Sequence, residues 1–115
     1  MSHRDDALYL GHMLDMARKI EQRARDLSRA EFDGDEDVRL ALLHLVQTLG
    51  EAARRVSPEC RAAHPELPWA EMTGMRHKIV HDYMNISYAV LWDVVTRDIP
   101  PLLEVLEEVN PPEDV

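Results

Sequence analysis

Five ionisable side chains fall within seven residues of one short stretch, Arg76, His77, Lys78, His81 and Asp82, and Tyr83 follows at once. Arginine carries a planar, permanently charged donor array that suits phosphate oxygens, and histidine is the side chain that exchanges a proton near neutral pH. Together they could cleave RNA without a metal. His81 would take the proton from a ribose 2′-hydroxyl while Arg76 stabilised the charge developing on the phosphoryl centre. Departure of the 5′-oxygen also needs an acid, and one histidine does not easily serve both roles at once. His77, water, or His81 of a second chain are the open choices for that proton.

A metal site is the weaker reading of the same residues. His77 and His81 have the i, i+4 spacing of helical zinc ligands, but Lys78 stands where a zinc-protease motif has its glutamate. A cation beside a metal ligand is unfavourable, and no cysteine or third histidine lies near in sequence. The plain alternative is that both histidines simply face solvent. Glu51, in Gly50-Glu51-Ala52, interrupts an apolar stretch and could pair with an arginine near the site, or merely sit on an exposed face. Cys60 lacks the local signature of a nucleophile. His12, His44 and His64 are scattered and receive no role, and Tyr88, Trp92 and the methionines read as packing residues.

Helices must position this cluster. The 115 residues make one domain, 1–115, and abundant Ala, Leu, Glu and Arg with only four Gly predict an all-α fold. Apolar residues at Leu10, Met13, Ala17, Ile20, Ala24 and Leu27 recur at steps of three and four, which predicts a first helix over 5–27. Ser28 and Glu31 have capping-box spacing and suggest a short turn. Asp33 and Asp35 are candidate caps for a second helix over about 36–55, ended by Ser57-Pro58. Gly50 inside it implies close approach by another helix. Residues 58–68 read as a loop holding one short turn, with Leu67 and Trp69 as buried plugs. A third helix runs from Pro68 through the charged cluster to Tyr83, with the break at Met84 to Ser87. If so, Arg76 and His81 stand well apart around its axis at about 100° per residue, so the helix is viewed obliquely or distorted near its end. Ser87 caps a last helix, which Pro100-Pro101 should kink and Asn110-Pro111-Pro112 should end.

Net charge of −9 excludes a generic nucleic-acid binder, since such binding rests on cations neutralising phosphates. The charge is uneven, however. Acidic residues gather at 33–37 and after Glu104, whereas Arg54, Arg55, Arg61, Arg76 and Lys78 lie mid-chain, which leaves room for a local basic cleft. A single cysteine forms no internal disulfide, and no apolar run approaches the roughly 18 residues needed to span a bilayer. A cytoplasmic protein without signal peptide or membrane helix is expected.

The blocks Tyr9-Leu10, Gly50-Glu51-Ala52, Pro68-Trp69, Gly74-Met75-Arg76 and a last helix beginning near Trp92, together with the pattern Arg76, His81, any residue, Tyr83, run across almost the whole chain. In these the sequence resembles the HepT-like (DUF86) branch of the HEPN superfamily. That family's motif is Arg, four to six residues, His, any residue, Tyr; the residue after the arginine is polar, often Asn, so His77 is an acceptable variant. The resemblance implies a four- to five-helix up-and-down bundle that dimerises and sets two copies of Arg76 and His81 along one RNA cleft. It implies a metal-independent endoribonuclease with no cofactor, acting as a toxin and leaving a 2′,3′-cyclic phosphate. His77, Lys78 and Tyr83 would support or orient substrate, with Glu51 behind them. It also implies a small nucleotidyltransferase antitoxin that adds AMP to Tyr83, placing bulk and negative charge where the substrate phosphate must sit. A non-catalytic helical module that binds such a partner or a nucleotide is the alternative.

Overall fold

Leu10, Met13, Ala17, Ile20 and Ala24 lie on one side of helix α1 (His3–Ala24), and all are buried, as their spacing predicts. The computed structural model describes residues 3–110, and helices dominate them. Helix α1 stops three residues before the expected end, and Ser28 then caps a short helix, α2 (Arg29–Gly34), through the reciprocal bonds of a capping box with Glu31. The backbone N–H of Ser28 holds the Glu31 carboxyl below its usual range, with the Ser28 hydroxyl adding to the effect. Phe32 on α2 is fully buried, its ring 5.1 Å from that of Trp92.

Helix α3 (Glu36–Arg55) has the expected bounds. The Asp35 carboxylate accepts from Val38 N–H and starts it, and Asp33 pairs with Arg29 instead of capping. At its far end Asp6, buried on α1, accepts from the Ser57 backbone N–H at 2.8 Å and from its hydroxyl at 2.6 Å. Because Asp6 is near the start of α1 and Ser57 follows α3, the two helices run antiparallel. Ser57 also caps α4 (Pro58–Ala63), the short turn foreseen in that loop. Leu67 is buried, whereas Trp69 is only half-buried and donates its indole N–H to the His64 carbonyl.

Helix α5 (Trp69–Ile79) lies against α3 at Gly50. A Cβ built there would stand 3.0 Å from the Met72 carbonyl oxygen. Glycine therefore lets the backbones approach, at a cost of about 1 kcal/mol in helix propensity. The expectation that α5 continues to Tyr83 is wrong: it ends at Ile79. A small antiparallel hairpin follows, β1 (Val80–Asp82) and β2 (Asn85–Ile86), the one departure from all-helical structure among the described residues.

Ser87 caps α6 (Tyr88–Asp93) as expected, accepting from Val90 N–H. Helical winding continues through one wide π turn over 94–98 into α7 (Ile99–Val109). Pro100 and Pro101 lack N–H groups, and a proline ring inside an α-helix crowds the carbonyl one turn back; the wide turn just ahead of them takes up that misfit. Helical winding therefore passes through the prolines without breaking. Leu91, Val95, Ile99, Leu102 and Leu106 are buried throughout. Asn110 closes α7 on the Leu106 carbonyl and reaches the Leu10 carbonyl of α1; Pro111 and Pro112 lie outside the described residues. No helix among those described is long and apolar enough to cross a membrane.

Candidate functional site at the end of α5

The charged stretch divides where α5 ends. Val80 is extended, and its N–H makes the last bond of the helix, to the Arg76 carbonyl. Arg76, His77 and Lys78 thus occupy the final helical turn, where the negative end of the helix dipole favours cations. His81, Asp82 and Tyr83 belong to the hairpin. Its base is tied to the helix by Ser87 N–H donating to the Ile79 carbonyl at 2.7 Å.

Register places His81 in an unusual position. Val80 pairs with Ile86 and Asp82 with Asn85, so β1 advances two residues while β2 advances one. His81 is the extra residue of a β-bulge, a feature that re-aims a side chain. Val80 turns into the core and His81 is exposed. The two-residue tip, Tyr83-Met84, contains no residue with positive φ, unlike the turns that ordinarily close such hairpins. The Asp82 carboxylate holds the tip instead by accepting from Met84 N–H at 2.8 Å. Asp82→Ala should therefore accelerate amide exchange at Met84 about fivefold, as loss of one bond worth about 1 kcal/mol implies, while Asp82→Asn leaves it near wild type. Hydrogen exchange read by NMR measures this; equal rates in all three proteins would show the bond to be idle.

Arg76 faces α3. It lines a small groove with Gln47, Gly50, Glu51, Arg54 and Thr73. Arg54 is anchored there by donating to the Thr73 carbonyl at 3.1 Å, and Glu51 lies 3.7 Å from Arg55 on its own helix. Lys78 turns the other way, 3.7 Å from Asp98, into a hollow shared with Ala70, Glu71, Gly74, Met75 and Val94. Arg76 and Glu51 are brought together, and Lys78 is carried away from them. His77 is exposed in the same turn, and Tyr83 at the tip is 91% exposed.

Most cations of the chain are already engaged. Among the residues whose side chains are described, 5–110, every Arg and Lys has a carboxylate or carbonyl partner except Arg76 and Arg97. Arg97 borders a hollow whose rim carries Glu66, Glu71 and Asp98. The carboxylate bordering the Arg76 groove, Glu51, already has Arg55. Arg76 therefore presents its donor fork uncommitted on an open surface, a few residues before an exposed imidazole. No three His, Cys, Asp or Glu side chains among the described residues are grouped to hold a metal ion.

The sequence profile named Ribonuclease HepT-like matches residues 13–109. The chain belongs to the HepT-like ribonuclease family. One HepT-like relative is named "Probable ribonuclease HepT", from Thermococcus cleftensis, and is 32% identical over 109 residues, 95% of this chain and 96% of its own. Another, from Methanocaldococcus jannaschii and named as a candidate RNase, is also 32% identical over 109 residues, 95% of this chain and all of its own length. No solved structure gives a significant match. The resemblance first drawn from Arg76, His81, Tyr83 and the blocks around them is thus borne out as family membership.

In this HepT-like chain, Arg54, Gln47 and Thr73 are groove residues that reading the sequence did not assign to the site. Arg54 had a signal, since it stands three residues after Glu51 on one face of α3. Gln47 and Thr73 had none. Cys60 is half-buried, and burial, then the Asp6 charge, pushes its thiol up, away from the reactive thiolate.

Proposed function

We propose that the protein is a metal-independent endoribonuclease and the toxin of a toxin–antitoxin pair, active in the cytoplasm as a homodimer. Support comes chiefly from the uncommitted Arg76 guanidinium next to the bulge that turns His81 outward. Arg76 would bind the scissile phosphate and His81 would accept the 2′-hydroxyl proton. The 2′-oxygen then bonds to phosphorus, the 5′-oxygen leaves with a proton, and a 2′,3′-cyclic phosphate remains. That second proton comes from His77, water, or His81 of the partner subunit.

One chain alone encloses nothing around these groups: Arg76, His77 and His81 are all exposed. An open surface leaves a phosphate in high dielectric, where an arginine is worth little. A second copy facing the first would narrow the site, exclude water and supply another Arg76 and His81. Lys78, already paired with Asp98, would contribute only to the surrounding positive field, and Glu51 would act from behind by holding Arg55 beside the groove.

Tyr83 suits control. Projecting from the hairpin tip two residues beyond His81, it is accessible to a modifying enzyme, and AMP attached there would bring a phosphate and a nucleoside to the site. Coexpression with a small nucleotidyltransferase should raise the intact mass by whole AMP units on Tyr83, and the modified protein should no longer cut RNA. Tyr83→Phe should stay unmodified. Modification elsewhere, or undiminished cleavage after it, would refute this control. The exposed pair Tyr83 and Met84 also favours a second reading, a non-catalytic module that docks such a partner by its tip. Partner binding would then persist with no RNA cut.

A further inference from the structure

Two hollows flank the ridge of α3 and meet at Glu51. One is the Arg76 groove. The other, with a cavity volume of about 270 Å³, is lined by Tyr9, His12, Thr48, Ala52 and Arg55, and its wall is almost wholly apolar. Tyr9 and His12 lie one turn apart on α1, with their rings edge to face and centroids 6.2 Å apart. Arg54 and Arg55 stand on the two sides of the ridge, the first held to the Thr73 carbonyl and the second next to Glu51. Three guanidinium groups therefore step across α3 from Arg76 to the rim of the aromatic hollow, and the Glu51 charge among them is offset by Arg55. This cationic track belongs to a chain of net charge −9.

A run of cations ending at aromatic rings, here a half-buried Tyr9 and an exposed His12, is how proteins hold single-stranded nucleic acid, with phosphates along the track and bases stacked on the rings. We propose that the Tyr9–His12 hollow is a nucleobase subsite, taking one unpaired base of the RNA strand whose scissile phosphate lies on Arg76. The inference rests on the ribonuclease reading for its substrate. It adds a binding contribution that resides on α1, away from the reacting groups. It also gives a physical reason for an acidic protein to hold RNA: stacking supplies affinity that its overall charge does not.

The test is fluorescence anisotropy with a labelled oligoribonucleotide that is 2′-O-methylated throughout and so cannot be cut through its 2′-oxygens. Tyr9→Ala and His12→Ala should each weaken binding about tenfold, and Tyr9→Phe should preserve it. An oligonucleotide with one abasic position in the subsite should bind the wild-type protein about tenfold more weakly, yet bind Tyr9→Ala no worse than the intact strand does. His12 is exposed, so its variant carries the test even if Tyr9→Ala fails to fold. Unchanged affinity in His12→Ala and Tyr9→Ala, or no binding by the wild-type protein, overturns the subsite. So does a loss of affinity accompanied by a changed sedimentation coefficient, which would assign the hollow to a second copy of this chain. Cleavage of unmodified RNA by the wild-type protein is measured alongside. Cleavage with unchanged affinities sinks the subsite alone, and weakened affinities without cleavage sink the ribonuclease reading alone.

Discussion

His81→Ala should lower the rate constant for RNA cleavage by about 10²- to 10⁴-fold, the usual contribution of a positioned general base. The loss should fall on kcat with little change in KM, because the imidazole is exposed and does its work on a proton that moves only in the transition state. His81→Gln keeps hydrogen-bonding capacity without the ability to exchange a proton near neutrality, and should be nearly as slow. Circular dichroism should be unaltered in both, since the fold relies on Val80 at this point of the strand and not on His81. Single-turnover cleavage of a defined oligoribonucleotide measures the effect. If His81→Gln retained near-wild-type kcat, the histidine would be a binding residue at most.

Arg76→Ala is expected to reduce kcat/KM by about 10²- to 10³-fold, as removal of a preorganised donor from a developing oxyanion does. Lysine at this position separates two explanations. If Arg76 supplied only positive charge, Arg76→Lys would restore most of the activity. If the planar fork grips two phosphoryl oxygens, lysine cannot reproduce it and the deficit should persist, within about tenfold of the alanine variant. The second outcome is expected, because Arg76 faces a groove already supplied with charge by Arg54. Stability should hardly change in either variant, since the side chain has no partner among the described residues to lose.

Helix α3 was legible in its approximate bounds because three independent signals agreed: the apolar steps from Val38 to Val56, the candidate caps Asp33 and Asp35, of which Asp35 serves, and the Ser57-Pro58 stop. The hairpin was not. Ile79, Val80 and Tyr83 extend an apolar helical stripe plausibly enough, and the turn has no Gly, Pro or Asn-Gly to announce it. What ends the helix is a sum of weak local preferences and a pairing a few residues away: β-branched residues at 79 and 80, the ladder with Asn85–Ile86, and an Asp82 side chain that replaces a special turn residue. The misreading affected the site directly. A continuous helix set Arg76 and His81 apart around one axis, and that argument no longer applies once His81 lies on a strand bulge. The motif spacing survived the error, because it is carried by residue order and not by the conformation between the residues.

Partners of the site were legible only where they share a helix face. Glu51 and Arg54 are one turn apart, so a cation beside the suspected acid could be read directly; the approach of Thr73 and Arg76 to that pair depends on how α5 packs across Gly50. Tyr9 and His12 faced Thr48 and Ala52 only after α1 and α3 were known to run antiparallel. The proposed closure of the site by a second copy would be a property of two surfaces together, to which the sequence pointed only through its family resemblance.

The central claim is that Arg76 and His81 cleave RNA by proton transfer and charge stabilisation alone. It is tested most directly by incubating the purified wild-type protein with a 5′-labelled oligoribonucleotide in excess EDTA and determining the product ends by mass spectrometry. Undiminished cleavage leaving a 2′,3′-cyclic phosphate and a 5′-hydroxyl is the predicted result. Activity that vanishes in EDTA and returns with a divalent cation, or fragments ending in 3′-hydroxyl and 5′-phosphate, would contradict it.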